Sequence, residues 1–493
     1  MQAKNIIENK IKFLKNRKRT RENTREFNKK NYDIQYLLKN LYDLLLSPTK
    51  WAVNIDQGKK MKLFELKKPF LNEELKLFLE EEESQDYETE KIVMDMIYNI
   101  RKNGFKSIVE YTKKFDNYDL TKDNFLVKKN EIDKLAKKIK PELSDALETA
   151  VQRIKNFHLM ELQKPFEMKD DDNNKMGQKV IPLDSIAVYI PGGEALYPST
   201  LYMTAVPAII AGVKRIILLS PPRTFENSPE IARLIQLLNI NEVYRIGGAQ
   251  AIIAAVYGVE NLKPVDKIVG PGNNFVAKAK QLLYGKVDID MIAGPSEILV
   301  LADTDKEEDI PLIASDLLSQ VEHGPKGCAR AILIGTDKNF LLKIKEETYK
   351  KANELPLKEN AIESLNQRSI IIVCPDKWTG VEISNILAPE HLELFSNDPY
   401  PLLDKVKNAG SVFLGKYTPE SVGDYIGGPN HVLPTSGTAR FFSPLGVYDF
   451  QKKFSWIEFN KNSLEKHLKN ITLIARSEGF EAHAKSAEVR FKK

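Results

Sequence analysis

Short runs of β-branched and other apolar residues alternate with segments of helical spacing through the middle of the chain. The apolar runs are short and are bounded by glycine, proline or asparagine, so they predict buried strands. Strands are predicted at 185–190, 215–219, 242–246, 266–269, 298–301, 329–334 and 370–373. Between them, apolar residues recur at helical spacing and predict helices at 199–211, 229–238, 249–257 and 274–283.

This alternation indicates parallel sheets with helices on both faces, an α/β architecture whose binding sites usually lie at the carboxyl ends of the strands. Glycine-rich turns follow three of the predicted strands, with the sequences PGG at 191–193, GGAQ at 247–250 and GPGNN at 270–274. None of them is a Gly-x-Gly-x-x-Gly or Walker motif. The turns alone therefore do not identify a nucleotide site.

The flanks of this region have a different pattern. From Met61 to about residue 172 the segments are helix-like and strongly charged, and the run DDDNN at 170–174 marks a turn or exposed loop. Beyond about residue 445 the chain is again predicted to be helical and charged. This tail is too short to form its own core, so we expect it to dock on another surface, in the same chain or in a partner subunit.

Length and composition narrow the class of protein. A chain of 493 residues is expected to form two or more domains. Its longest uncharged apolar stretch, around 205–213, is shorter than the ~18 residues that a membrane helix needs. The two cysteines, Cys328 and Cys374, are far apart and outside any Cys-x-x-Cys spacing, so the sequence supports neither a disulfide framework nor a thiolate zinc finger. We therefore expect a reducing, cytoplasmic location.

The positive charge is concentrated in a basic extension at residues 1–60. This extension contains 15 Lys/Arg and 6 Asp/Glu. Because the formal net charge of the whole chain is +5, the rest of the chain has a net charge of −4. Its run KNRKRTR at 15–21 could contact RNA or an anionic surface, but the absence of interleaved aromatics favours a solvated charge run. Three glutamates and few serines distinguish the extension from a transit peptide. A domain start is predicted at Met61.

Four of the six histidines lie within a few residues of a carboxylate or amide, in segments predicted to be turns and helix ends: His323, His391, His431 and His483. A neutral imidazole can bind a metal or carry a proton, and both roles need orienting partners. The pattern predicts one assembled polar site. The other two histidines, His158 and His467, are predicted to lack such orienting partners and to lie outside the site.

Gln320 and His323 are three residues apart at the end of a predicted helix, 312–322, so their side chains share one helix face. Zinc usually takes Cys, His, Asp or Glu, so this spacing is a weak metal signal and a surface helix end remains an alternative. Glu390 and His391 place a carboxylate beside an imidazole, which suits a general base and a water-activating partner. The alternative is a helix cap with Glu390 exposed.

The loop GDYIGGPNH at 423–431 presents Asp424 and His431, although a plain turn has the same composition. Ser296 precedes an apolar strand, and its hydroxyl could bind substrate or stabilise the turn. No Gly-x-Ser-x-Gly elbow surrounds it, which argues against nucleophilic serine chemistry. Spacing alone supports a metal-dependent α/β enzyme and does not identify its reaction.

Five motifs and the chain end, in this order, resemble the histidinol dehydrogenase family: IDMIAGPSE (289–297), SQVEHG (319–324), PEHLE (389–393), GDY (423–425), NHVLPT (430–435) and EGFEAH (478–483). The resemblance covers the chain from about Met61 to its end. It implies oxidation of L-histidinol to L-histidine in two NAD-dependent steps through histidinaldehyde, the last stage of histidine biosynthesis, with one zinc ion per subunit.

The resemblance also implies the architecture, two atypical, incomplete Rossmann-like domains with small helical terminal elements in a domain-swapped homodimer. Residues 61–188 and 296–445 would form the main domain with the zinc and catalytic residues, and 189–295 the NAD-binding domain. Residues 446–493 would be a helical tail swapped onto the partner subunit. Residues 1–60 would be a flexible extension outside the family pattern.

The roles that the resemblance implies are these. His391 is the general base for the alcohol proton and later the hydrate proton, and Glu390 activates the attacking water. The zinc ligands, which also contact substrate, are Gln320, His323, Asp424 and His483. Further substrate contacts are Ser296, His431 and Glu478, and the NAD contacts are Tyr189, Gln250 and Asn273. Glu194 departs from the pattern because it is bulkier and more acidic than expected beside the nucleotide.

Three other readings remain open from the residues. One is a relative that oxidises another small alcohol. A second is a zinc hydrolase in which Glu390 or His391 activates water. The third is an RNA-binding or regulatory protein that uses the basic extension and carries an inert site.

Overall fold

The computed structural model describes residues 61–69, 71–80, 87–192, 197–292, 294–323 and 327–492. The predictions on the basic extension and on Glu194 lie outside the described residues. None of the helices in these ranges is both long enough and apolar enough to cross a membrane.

The strands are β1 (Lys62–Glu65), β2 (Phe166–Lys169), β3 (Lys175–Pro182), β4 (Ser185–Tyr189), β5 (Arg215–Ser220), β6 (Glu242–Arg245), β7 (Lys267–Val269), β8 (Asp288–Ile289), β9 (Glu297–Asp303), β10 (Arg330–Gly335), β11 (Ile370–Val373), β12 (His391–Ser396), β13 (Ser411–Leu414) and β14 (Gln451–Glu458). All seven predicted strands are present, with ends within two residues of the prediction. The sequence pattern did not indicate the others.

The helices are α1 (Glu73–Glu80), α2 (Tyr87–Asn103), α3 (Phe105–Asp116), α4 (Lys122–Phe125), α5 (Lys129–Ala136), α6 (Pro141–His158), α7 (Pro198–Ala211), α8 (Pro222–Glu226), α9 (Pro229–Leu237), α10 (Gly248–Tyr257), α11 (Asn274–Leu283), α12 (Ile310–Val321), α13 (Lys338–Ala352), α14 (Lys358–Gln367), α15 (Lys377–Leu387), α16 (Tyr400–Leu403), α17 (Glu420–Tyr425), α18 (Lys461–Ser477) and α19 (Glu481–Glu488). The four predicted helices between strands are confirmed as α7, α9, α10 and α11.

The larger sheet is parallel, with the strand order β1-β11-β10-β9-β12-β13. One face packs against α12, α13 and α14, and the other against α1, α15 and α16. Because both faces are covered, successive residues of β9 such as Ile298 and Leu299 are buried in opposite layers. The predicted α/β class is confirmed.

The second sheet is parallel, with the order β6-β5-β4-β7-β8. Its first strand in the chain, β4, is central, and later strands add first on one side and then on the other. This is the order of a Rossmann-type sheet. The strand order reverses between β4 and β7, because β5 and β6 lie on one side of β4 and β7 and β8 on the other. A crevice at the carboxyl ends of β4 and β7 is the expected place for a nucleotide.

Helices before the second sheet pack on it. Val93 and Met96 of α2 and Ile108 of α3 are buried in the same cluster as Ala187 and Ile268 of this sheet. The sequence prediction grouped residues 61–188 with the larger sheet instead. The packing of α2 and α3 favours assigning them to the second sheet, and the predicted domain boundaries near 189 and 295 stay a prediction.

The third sheet is antiparallel, with the order β14-β3-β2. Its strand β14 lies in the tail that the sequence predicted to be helical, so that prediction is wrong for Gln451–Glu458. Most side chains of β14 are exposed, which is why no buried apolar run marks it. Phe166 and Ile457 of this sheet are 56% and 67% exposed, so part of its apolar surface is open.

The start of the tail helix α18 is held within the same chain by the predicted loop at 170–174. Asn174 Nδ2 donates to Ser463 Oγ at 2.7 Å, and His467 Nε2 lies 2.8 Å from Asp172 Oδ2. The rest of the tail has apolar side chains on the surface, since Ile474 is 61% exposed and Phe480 is 52% exposed. The tail thus docks at its beginning and leaves apolar surface open toward its end.

Candidate active site

The predicted catalytic residues assemble at the amino end of the larger sheet. His391 is the first residue of β12 and Glu297 the first residue of β9, and the two strands run side by side. Gln320 lies near the carboxyl end of α12, which returns the chain to the start of β10. The expectation that the site lies at the carboxyl ends of the strands is therefore wrong for this group.

His391 is buried and has one ring nitrogen fixed by the backbone. Its Nδ1 lies 3.0 Å from the carbonyl oxygen of Glu297. A carbonyl only accepts, so Nδ1 carries the proton and Nε2 carries the free lone pair. Nε2 has no hydrogen-bond partner among the described residues and lies 3.8 Å from Glu420 Oε1 and 3.9 Å from Asp424 Oδ1.

The protonation state of His391 suits a base. Burial lowers the pKa of His391 to about 4, although the nearby Asp424 carboxylate acts in the opposite direction. A histidine with this pKa is neutral near pH 7. It can therefore accept a proton at Nε2 without first losing one.

Glu390 is held by the backbone of Glu297, the residue that also orients His391. Its Oε2 accepts the backbone N–H of Glu297 at 2.9 Å and lies 3.7 Å from His391 Nδ1. Glu390 is buried, so the alternative of an exposed helix-cap residue is excluded. Burial raises the pKa of the Glu390 carboxyl well above its usual range, which makes its carboxylate a stronger base.

Asp424, on α17, faces both His391 and His431. Its Oδ1 lies 3.6 Å from His431 Nδ1. Burial would raise the pKa of Asp424, but the hydrogen bond and charge of His431 lower it below the usual range, so Asp424 is a carboxylate. The two residues that the glycine-rich loop presents thus meet at the site.

The site can hold a cation. One donor atom from each of His391, Glu420 and Asp424 lies within 4.8 Å of the others. Three buried polar atoms here have no hydrogen-bond partner among the described residues, namely Gln320 Nε2, His391 Nε2 and Glu420 Oε1. Buried polar atoms are costly without a partner. A cation would satisfy the two acceptors, His391 Nε2 and Glu420 Oε1, whereas Gln320 Nε2 is a donor that needs an acceptor on a polar substrate.

The structure places the other predicted residues unevenly. His323 is half-buried, and a positive charge on it would lower the pKa of His391, so it borders the site. Ser296 is half-buried next to Glu297 at the same edge. Glu478 and His483 lie exposed on the tail, and across the described ranges no side-chain hydrogen bond or ion pair joins either to this group.

Glu420 is a residue of the site that the sequence reasoning missed. It is buried one helical turn before Asp424 in α17 and its backbone N–H donates to Glu393 Oε1 at 2.8 Å. Burial, and then the neighbouring Asp424, raise the pKa of Glu420 above its usual range. The i, i+4 spacing of two acids beside a glycine-rich loop was the signal that could have identified it.

His158 and His467 do have polar partners, contrary to the sequence interpretation. His158 Nδ1 lies 2.8 Å from Glu161 Oε2, and its Nε2 lies 3.4 Å from Asn430 Nδ2. His158 thereby supports the segment that leads into His431. His467 is the tail residue that pairs with Asp172, so neither histidine enters the site.

The three residues predicted to contact NAD lie at the carboxyl-end edge of the second sheet, where the nucleotide crevice is expected. Tyr189 ends β4, and its hydroxyl accepts the N–H of Gly248 at 3.0 Å. Burial raises the pKa of Tyr189 to about 12, so the hydroxyl stays protonated. Gln250 is buried in α10, and exposed Asn273 caps α11 by accepting the N–H groups of residues 275 and 276 at 3.1 Å.

Hydrogen bonds connect this crevice region to the catalytic group. Tyr202, on α7 of the second sheet, donates its hydroxyl to the carbonyl of Tyr425 at 3.1 Å. Asn430 Nδ2 donates to the carbonyl of Met203, also on α7, at 2.7 Å. The segment that carries Asp424 and His431 is therefore tied to the helix that follows β4.

Comparisons with known proteins agree on one family. The family model described as histidinol dehydrogenase matches residues 79–491. The histidinol dehydrogenase of Aquifex aeolicus is 43% identical over 420 residues, which are 85% of this chain and 96% of the relative. That of Bacillus subtilis is 45% identical over 406 residues, 82% of this chain and 93% of the relative. A crystal structure of histidinol dehydrogenase from Elizabethkingia anophelis superimposes with a TM-score of 0.80 at 35% identity, covering 87% of this chain and 98% of that one.

Proposed function

This chain belongs to the histidinol dehydrogenase family, and we propose that it oxidises L-histidinol to L-histidine in two successive NAD-dependent steps through histidinaldehyde. The observation that carries the proposal is the orientation of His391. Its Nδ1 is fixed on the Glu297 carbonyl, and its Nε2 has no hydrogen-bond partner among the described residues and lies 3.8 Å from Glu420 and 3.9 Å from Asp424. This is the arrangement that an alcohol oxidation needs in its proton acceptor.

His391 removes the hydroxyl proton of histidinol while the carbon beside it loses a hydride. When bound, NAD accepts one hydride in each of the two oxidations. Glu390 then takes a proton from the water that adds to the aldehyde, and His391 removes the hydroxyl proton of the resulting hydrate in the second oxidation. Because both side chains are bound by the backbone of Glu297, one through its N–H and one through its carbonyl, their relative position is maintained through both steps.

The residues present fit a zinc site at which substrate is anchored. Gln320, His323 and Asp424 of one subunit and His483 of the partner subunit would be the ligands, one carboxylate with three neutral donors. When bound, zinc supplies a positive anchor for the imidazole and amine of the substrate. Ser296, His431 and, from the partner subunit, Glu478 would complete the polar contacts to histidinol.

The shape of the tail supports a homodimer with shared sites. Glu478 and His483 are exposed, and apolar side chains near them, such as Ile474 and Phe480, are exposed as well. Exposed apolar surface beside polar residues is typical of an interface with another chain. The free thiols of Cys328 and Cys374 support the proposal of a reducing, cytoplasmic location.

The geometry and the family pattern suggest two ligand sets that share Asp424, and Glu420→Gln separates them. If the ligands are those of the family pattern, the purified variant keeps a zinc content close to one ion per subunit, because Glu420 only borders the site. If His391, Glu420 and Asp424 hold the ion, zinc affinity falls by at least about 10-fold. Metal analysis after dialysis against a weak chelator measures the difference, with Asp424→Asn as the variant expected to lose zinc in both cases.

The activity itself is tested by stoichiometry. Purified zinc-loaded protein, given limiting L-histidinol and excess NAD, is expected to form two NADH per histidinol, measured by absorbance and by chromatography of the product histidine. A stoichiometry of one with accumulating aldehyde would contradict the second oxidation. Absence of NADH with intact metal would refute the proposal. Turnover of a different alcohol in a substrate panel would instead indicate a related enzyme that oxidises another small alcohol, and NAD-independent hydrolysis would favour the zinc hydrolase.

A further inference from the structure

A buried ion pair lies outside the catalytic group, beside the crevice of the second sheet. It joins Lys280 of α11 to Asp290, which follows β8, and the two side chains are 4% and 2% exposed. Burying two charges costs desolvation energy, and replacing such a pair by apolar residues often leaves stability unchanged or improved. Stability alone is therefore a weak explanation for its position.

The two side chains of the pair hydrogen-bond to the backbone of one residue, Gly270, in the loop between β7 and α11. Asp290 Oδ2 accepts the N–H of Gly270 at 2.7 Å, and Lys280 Nζ donates to the carbonyl of Gly270 at 3.0 Å. Asp290 Oδ1 also accepts the N–H of Met291 at 2.7 Å. Both backbone polar groups of Gly270 are thus bound by the two members of a single ion pair.

Gly270 is a position where the backbone has no freedom to adjust. Its φ is +114°, and a Cβ there would lie 2.1 Å from the carbonyl oxygen of Tyr189. The ends of β4 and β7 therefore meet at Gly270, at the point where the sheet changes its direction of growth. Three residues later comes Asn273, which caps α11.

We propose that Lys280 and Asp290 are positioning residues for the dinucleotide, because they fix the Gly270 loop that presents Asn273 and the amino end of α11 to the crevice. Amino ends of helices favour the negative charge of phosphate groups, so a diphosphate-bearing ligand is the class that this loop suits. The inference rests on the proposed NAD-dependent function. It adds residues that contact neither substrate nor cofactor and act through the loop.

The same sheet contains a matched control at its opposite edge. Lys267, the first residue of β7, binds Asp288 Oδ2 at 2.8 Å, and its side chain is also 4% exposed. This pair also joins a buried lysine to an aspartate, although Asp288 is 49% exposed, and it lies at the amino end of the strands, away from the loop. Lys267→Met therefore reports what loss of a buried lysine in this sheet does to folding alone.

The test compares Lys280→Met and the double variant Lys280→Met/Asp290→Asn with Lys267→Met in the full-length zinc-loaded protein. The double variant leaves no unpaired buried charge and so guards against misfolding. We expect the KM for NAD to rise about 10-fold or more, with kcat at saturating NAD and the KM for histidinol changed less than about 3-fold. Lys267→Met should leave the KM for NAD unchanged.

Hydrogen exchange provides a readout that does not depend on activity. Amides of residues 268–276 should exchange faster in the Lys280 variants than in the parent protein or in Lys267→Met, and calorimetry should show weaker NAD binding. Unchanged loop exchange and NAD affinity would overturn the positioning role, as would an equal effect of Lys267→Met. A parent protein that binds NAD but yields no NADH with histidinol would refute the proposed function, while loop exchange and NAD affinity would still decide the role of the pair.

Discussion

His391→Asn is expected to reduce kcat by about 10²–10⁴-fold while zinc content and histidinol affinity stay close to those of the parent protein. The asparagine amide can still donate to the Glu297 carbonyl that now accepts from Nδ1, so the local fold is retained. It lacks the basic nitrogen that faces Glu420 and Asp424. Steady-state kinetics together with metal analysis of the same preparation measure both quantities.

His467→Asn is the matched control for this substitution. His467 Nε2 lies 2.8 Å from the Asp172 carboxylate, on the tail and away from the site. Its replacement should leave kcat within about 2-fold of the parent value, since surface changes rarely propagate. A loss of zinc in His391→Asn as severe as its loss of turnover would show that His391 is a ligand, and would contradict its assignment as the base.

The strands that the sequence predicted are those that bury both faces. In β9 and β10 nearly every residue is apolar and inaccessible, so a short apolar run was a sufficient signal. β12 is also fully buried, yet it contains His391 and Glu393 among apolar residues. Its polar members are stabilised by long-range partners such as the Glu420 N–H, which no local pattern reveals.

The sequence predicted which residues belong together in the candidate site, but it predicted the wrong end of the sheet for them. Spacing indicated that Gln320 and His323 share a helix end and that Glu390 and His391 form a pair, but it could not say which end of a sheet they reach. That depends on the strand register, in which His391 opposes Ile298 and brings the start of β12 beside the start of β9. The roles of Asp424, His431 and the tail residues came from family resemblance and could not come from spacing.

The proposed homodimer concerns the end of the tail most directly. Its beginning is fixed in the same chain through Asn174 and Ser463, whereas Glu478 and His483 lie exposed among apolar side chains. Isolated exposed residues are ordinary, but a zinc ligand and a substrate contact at an open apolar surface would be without function unless a second catalytic group approached them. Sharing of sites between subunits therefore makes a quantitative prediction.

Mixing inactive His391→Asn with inactive His483→Asn is expected to restore about a quarter of the parent activity after random subunit exchange at equal concentrations. In a swapped heterodimer one site receives both defects, while the other combines an intact His391 with an intact His483 from the partner. Half of the dimers are then heterodimers, each with one working site of two.

Differently tagged subunits, purified in tandem, allow the heterodimer to be assayed directly, and half of the parent activity is expected for it. No recovery of activity in a heterodimer of proven composition would mean that each subunit completes its own site. Recovery would require His483 to act across the interface, because neither chain alone carries both His391 and His483.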